Sequence, residues 1–154
     1  MNDALESYHH PSAGFTLPLP AGWERDESVP GCALVSVEPR RDDEHFRANV
    51  VVTVEELGEG AELDGWADRS LGALEESLNR LSVIDRDETE IGDVPARRAL
   101  THYLHGQFGG VNLEQWSLVE GGRGYVVSCS TAALEYDDLW ALTNAVAEGL
   151  RIGA

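Results

Sequence analysis

The amino-acid sequence predicts an α+β fold, an antiparallel β-sheet packed with two main amphipathic helices, and three observations carry the prediction. Two stretches, about residues 61–81 and 135–151, repeat apolar side chains at three- and four-residue steps. Much of the remainder alternates apolar and polar residues, as half-buried antiparallel strands do. Short glycine-rich breaks separate the strand-like runs: GDVP at 92–95, GQFGG at 106–110 and GGRG at 121–124. Breaks of that length suit hairpins, whereas parallel strands need long crossovers.

An opening hairpin joins residues 5–10 to 15–18 through Pro11-Ser12-Ala13-Gly14. Residues 32–37 are a further strand. In 46–54, Phe46, Ala48, Val50, Val52 and Val54 point one way, and Arg47, Asn49, Thr53 and then Glu55 the other. The first helix carries a stripe of Leu63, Trp66, Ala67, Leu71, Leu74, Leu78 and Leu81, with Glu75 and Glu76 opposite. Strands follow at 82–90, 94–105, 111–120 and 124–131. The second helix carries Tyr136, Leu139, Thr143, Val146 and Leu150, with Asp137 and Asp138 in its first turn and Arg151 in its last, where the helix dipole favours them. The 154 residues read as a single domain, 1–154, without linker or repeat.

Charge bounds the partners. Twenty-eight acids face eleven basic residues, all arginine, for a net charge of −17. Such a surface repels phosphate backbones and anionic lipid head groups, so no nucleic acid and no direct membrane association are expected. A protein partner, basic or apolar, suits it better, with the chain itself a monomer or weak dimer. The absence of lysine excludes Schiff-base chemistry and a Walker-type phosphate loop. The start, MNDALESYHH, lacks the basic and apolar regions of an export signal, so a cytoplasmic chain with Cys32 and Cys129 as free thiols is expected.

Several segments, in order, resemble a known family. Gly14-Phe15-Thr16-Leu17-Pro18-Leu19-Pro20-Ala21-Gly22-Trp23 is similar to its opening strand and Pro-x-Gly-Trp turn. Ile91-Gly92-Asp93-Val94-Pro95-Ala96-Arg97-Arg98 resembles its Gly-x-Pro-Ala hairpin, and Tyr125-Val126-Val127-Ser128-Cys129-Ser130-Thr131, then Tyr136 and a closing helix, resembles its ending. The family is the Mog1/PsbP-like one, including the bacterial DUF1795/DcrB and LpqN-type proteins. The resemblance implies an antiparallel sheet with helices packed on it and a role in binding proteins, as an adaptor or as a chaperone for a secreted or membrane-active protein. It supplies no catalytic residue. The chain departs from the lipoprotein members in having no lipid-attachment cysteine near its start.

The residues themselves offer little catalysis. His102 and His105 are three apart and point to opposite faces of a straight strand, and no HExxH or CxxC spacing occurs, so no metal and no cofactor are expected. Ser128-Cys129-Ser130 sits mid-strand without a nucleophile elbow, and Cys129 reads as core beside Tyr125 and Val127. Trp23, in its turn, reads as a plug for the core.

One sheet face is the candidate site. Taking Phe46/Val50/Val54 as the core side and extending it through Val94, Leu100 and Leu104, then Val111, Leu113 and Val119, leaves Arg47, Asn49, Tyr103, His105, Glu114 and Trp116 together on a polar face. An aromatic pair on a wet face is typical of recognition surfaces. The competing reading is that a helix or loop covers that face and Trp116 is core. The leading expectation is a non-enzymatic protein-binding domain. The alternatives are a small-ligand-binding module with a pocket between sheet and helix, and a hydrolase using scattered Asp, Glu and His.

Overall fold

A computed structural model describes residues 4–41 and 44–153. The elements run β1 (Leu5–His9), β2 (Phe15–Pro20), β3 (Glu24–Asp26), β4 (Leu34–Val37), β5 (Asn49–Glu56), α1 (Leu63–Ser77), β6 (Ser82–Ile91), β7 (Val94–His105), β8 (Gly109–Glu120), β9 (Arg123–Ala132), α2 (Tyr136–Glu148) and β10 (Arg151–Ile152). A 3-10 turn, Ala133–Glu135, leads into α2. Seven strands form one sheet in the order β3-β4-β5-β9-β8-β7-β6, and β1-β2-β10 form a second. Every pairing is antiparallel. This is the α+β architecture expected from the hairpin breaks; the short strands β3 and β10 were not.

The small sheet and α2 cover one face of the large sheet. Phe15, Leu17 and Leu19 of β2 and Val146, Ala147 and Leu150 meet Val50, Val52, Trp116, Leu118, Tyr125, Val127 and Cys129 in the main apolar cluster. Trp23 packs against that cluster, as its turn suggested. The end of α2 lies close to β2 because residue 149 is glycine: a Cβ there would stand 2.6 Å from Pro18 Cδ. The other face carries α1 and a smaller cluster of Tyr103, Val111 and Leu113, onto which Phe46, Leu74, Leu78 and Leu81 pack.

Helix α1 ends earlier than the apolar spacing predicts. Leu78 is already extended (φ −111°, ψ 139°) and donates its N–H to Leu74 O as a cap. Leu78 and Leu81 still pack inward, so the periodicity reported burial past the end of the helix. Phe46 corrects another assignment. It precedes β5 and packs with Tyr103 and Leu113, on the side opposite Val50 and Val52.

The larger correction is register. β7 and β8 pair with His105 opposite Gly109, which sets Leu100 across from Glu114, Thr101 from Leu113 and Tyr103 from Val111. Directly opposed residues share a face. Leu100 therefore lies with Glu114 and not with Leu113, one residue away from the expected alignment, and a one-residue slip exchanges the faces of a whole strand.

Candidate binding cleft beneath the first helix

That register divides the six expected site residues. Trp116 is buried in the main cluster, 3% exposed, opposite Val127 of β9. Glu114 is 1% exposed on the same side. Tyr103 is buried on the α1 side, and His105 follows on that side. His105 Nδ1 accepts hydrogen bonds from the N–H groups of Gln107 and Phe108, and its ring meets Phe46 edge-on, so it holds the β7–β8 turn. Asn49 lies in the α1-side row Asn49–Ser130–Leu113–Thr101 and donates to Arg47 O at 3.2 Å. Arg47 reaches the far edge, bonding Glu38 O at 3.0 Å and the Glu24 carboxylate. The expected common open face is therefore corrected: these residues occupy different sites, and both faces of the central strands are covered.

Glu114 anchors a buried ion network. Arg98 donates to one carboxylate oxygen and the Tyr136 hydroxyl to the other at 3.1 Å. The same guanidinium extends to Asp85 at 3.1 Å and Asp87 at 3.4 Å. Burial alone would make Arg98 easier to deprotonate, but Glu114 and its neighbours hold its pKa above the usual value. Burial, then the Glu114 charge, pushes the Tyr136 phenol up to about 12. Burial, then Glu114, raises the Cys129 thiol too, so this free cysteine is a core group and a poor nucleophile. At the start of α2, atoms of Glu38, His45 and Glu135 lie within 4.8 Å of one another. Arg41 bonds both carboxylates, at 3.4 and 2.9 Å, and so already supplies a cation to this group.

A built cleft lies under α1. Alternation along β7, β8 and β9 sends Arg97, Ala99, Gln115, Ser117, Val126 and Ser128 to the α1 side. Gln115 and Ser117 are 4% and 2% exposed, so the sheet is polar where α1 crosses it. Small residues of the helix, Ala67 and Ser70, face this floor beside Trp66 and Leu71. A cleft of about 350 Å³ opens between α1 and β6–β8, with Gln115 and Ser117 in its floor and Arg86, Arg97, Asp64 and Asp68 at its rim. Arg86 pairs with Asp68 at 3.2 Å, and Arg97 pairs with Asp64 and, at 3.1 Å, with Glu88. A second cleft, on the other flank of α1, is lined by Trp66, Arg69, Ser128 and again Gln115. The Trp66 ring lies over Gly124, where a Cβ would stand 2.8 Å from its Cδ2, and its buried Nε1 has no hydrogen-bond partner among the described residues. Sequence reasoning offered a pocket between sheet and helix only as an alternative and named none of the residues that line this cleft. Its signal is the polar pair Gln115 and Ser117, two apart and hence on one face of β8.

Sheet order, covered faces and helix positions together define an α+β fold of the Mog1/PsbP-like kind, and solved structures show the same architecture. Cyanobacterial PsbP from Synechocystis superposes with a TM-score of 0.73 at 16% identity, over 99% of this chain and 94% of that one. LpqN of Mycobacterium tuberculosis, described as involved in cell envelope biogenesis, gives 0.71 at 16% identity over 98% and 91%. The Ran-binding protein Mog1p of Saccharomyces cerevisiae gives 0.65 at 12% identity over 98% and 96%. No family model matches the chain, and no curated protein matches it in sequence. Among the described residues no helix is long and apolar enough to cross a membrane.

Proposed function

We propose that this chain is a non-enzymatic binding domain that recognises a protein partner through the surface formed by α1, β6 and β7. The observation that carries the reading is the rim of the α1 cleft, where exposed charged side chains, Arg86, Asp68, Glu88 and Asp64 among them, surround an opening with a buried amide and hydroxyl in its floor. Polar groups buried at the foot of an open cleft fix the orientation of whatever enters it. Groups that a hydrolase would use are held structurally instead: Glu114 by Arg98 and Tyr136, His45 by Glu38, His105 by its own turn. The Ran-binding description of the yeast structure supports a protein partner, and adaptor or chaperone work is the finer form of the same reading.

The test is affinity capture from the native host with the wild-type chain and with Arg86→Glu/Asp68→Arg. A stoichiometric protein that is retained by the wild type and lost with the variant is expected. A small molecule copurifying without any protein would refute the reading in favour of the second one, a ligand-binding module, which the 350 Å³ cleft itself favours.

A further inference from the structure

Strand β6 ends the large sheet. It is hydrogen-bonded to β7 on one side only, and no backbone hydrogen bond leaves its outer side among the described residues. Its ten residues are exposed at nearly every position, Ile91 being the buried exception. A long open edge is a template for another strand, and proteins blunt such edges with charges, bulges or a covering element. Here a register shift falls between Val83 and Asp85, and from Asp85 to Ile91 the strand is regular. Neither helix covers Asp85 to Glu88, where the side chains of Asp85, Asp87 and Glu88 are 59%, 52% and 80% exposed; Ile91, at the far end, is buried in the main cluster.

The charge of this edge is one-sided. Asp85 and Asp87 face the α2 side, opposite Leu100 and Arg98, while Arg86, Glu88 and Glu90 face the α1 side. Counting the groups bonded to them, Asp64, Asp68, Glu114, Arg97 and Arg98, seven carboxylates share three guanidiniums. Acid is thus in excess on both faces of the edge. A second copy of this chain would bring the same excess to the pairing, on top of a net charge of −17. Like charges directly opposed destabilise a strand pair and opposite charges stabilise it. The acids that keep two copies apart therefore select a basic strand.

We infer that β6 is a strand-addition site: an extended, arginine- or lysine-rich segment of a partner protein pairs with its outer edge and sets basic side chains against Glu88 and Glu90 on the α1 side. This rests on the protein-binding reading above and supplies the chemistry of the partner. Main-chain hydrogen bonds give such a complex its affinity, and the side-chain pattern gives its selectivity.

The probe is a capped Arg-Val peptide, RVRVRVRV, titrated into the full chain at low ionic strength, where exposed charges are screened least. Binding is expected with slowed amide exchange confined to β6. Affinity falls at least tenfold when alternate peptide nitrogens are methylated, since that removes donors and keeps charge, and at least tenfold in Glu88→Lys/Glu90→Lys. The glutamate counterpart EVEVEVEV does not bind. Equal affinity for the methylated peptide, protection away from β6, or no binding of RVRVRVRV would each overturn strand addition. If the charge variant fails to fold, the methylated peptide on the wild-type chain decides alone. A native partner whose footprint avoids β6 refutes this site and leaves the protein-binding reading standing; failure to capture any protein counts against that reading and not against the peptide result.

Discussion

Trp116→Ala separates a core tryptophan from a surface anchor. Trp116 is 3% exposed and sits in the main cluster with Leu118, Tyr125, Val127 and Val52. Its neighbours come from β8 itself, β9 and β5, with β2 and α2 closing over them, so truncation empties enclosed space. Removing a buried tryptophan costs about 3–5 kcal/mol. Set against a domain stability of roughly 5–15 kcal/mol, that is a large share of the total. With a urea slope of about 2 kcal/mol per molar, the unfolding midpoint should fall by about 2 M. Equilibrium urea unfolding followed by circular dichroism measures this directly and avoids reporting on the deleted fluorophore. A midpoint shift below about 0.3 M would correspond to the ~0.5 kcal/mol typical of surface changes. That result would refute both the burial of Trp116 and the β7–β8 register that places it.

Two further perturbations test the α1 side and the buried network. Gly124→Ala drives a Cβ into the Trp66 ring, 2.8 Å from Cδ2, and should cost about 1–3 kcal/mol by overpacking; adding Trp66→Ala should cancel much of the Gly124 penalty, and strict additivity in the urea cycle would contradict the contact. The Tyr136 phenol is raised from 10.0 to about 12 by burial and then by Glu114, so the folded state holds this proton more tightly than the unfolded one. Its stabilising contribution is full below pH 10 and is lost as pH rises towards 12. Melting temperatures across that window should decline less steeply in Tyr136→Phe than in the wild type; parallel curves would remove Tyr136 from the network.

The outline of the fold was legible because hairpins write local signals. β7 begins at Val94 and ends at His105, as the glycine-bounded run predicts, and β5, β6, β8 and β9 fall within a few residues of their predicted spans. The site was not legible because its central strand has no open face. Leu113 to Leu118 of β8 are buried at six consecutive positions, apolar and polar alike. Alternation reports a strand's core side only when the other side is wet. With α1 on one face and α2 with the small sheet on the other, both parities of β8 look like core. The choice between Glu114 and Leu113 as partner of Leu100 then rested on the length of the β7–β8 turn. Trp116 illustrates the result: grouped with Glu114, Tyr103 and His105 it resembles an anchor on a polar face, yet it is buried in the main apolar cluster while Tyr103 lies on the other side.

The two sides of the large sheet nevertheless differ in kind. On the α2 side, the helix and the small sheet close over a continuous apolar cluster, and its buried charge is bonded by Arg98 and Tyr136. On the α1 side, Trp66 and Leu71 of the helix are buried and Leu74 packs on the smaller cluster, while Gln115, Ser117 and Ser128 make the floor beneath the helix polar. A helix resting on few apolar contacts and a polar floor opens at lower cost than one seated in a core, and binding surfaces are drawn from such regions. The acid-rich edge of β6 borders this same side through the Arg86–Asp68 pair. The larger apolar cluster thus lies beneath α2, while the side carrying α1 and β6 has the polar floor and the open strand edge on which the proposed binding rests.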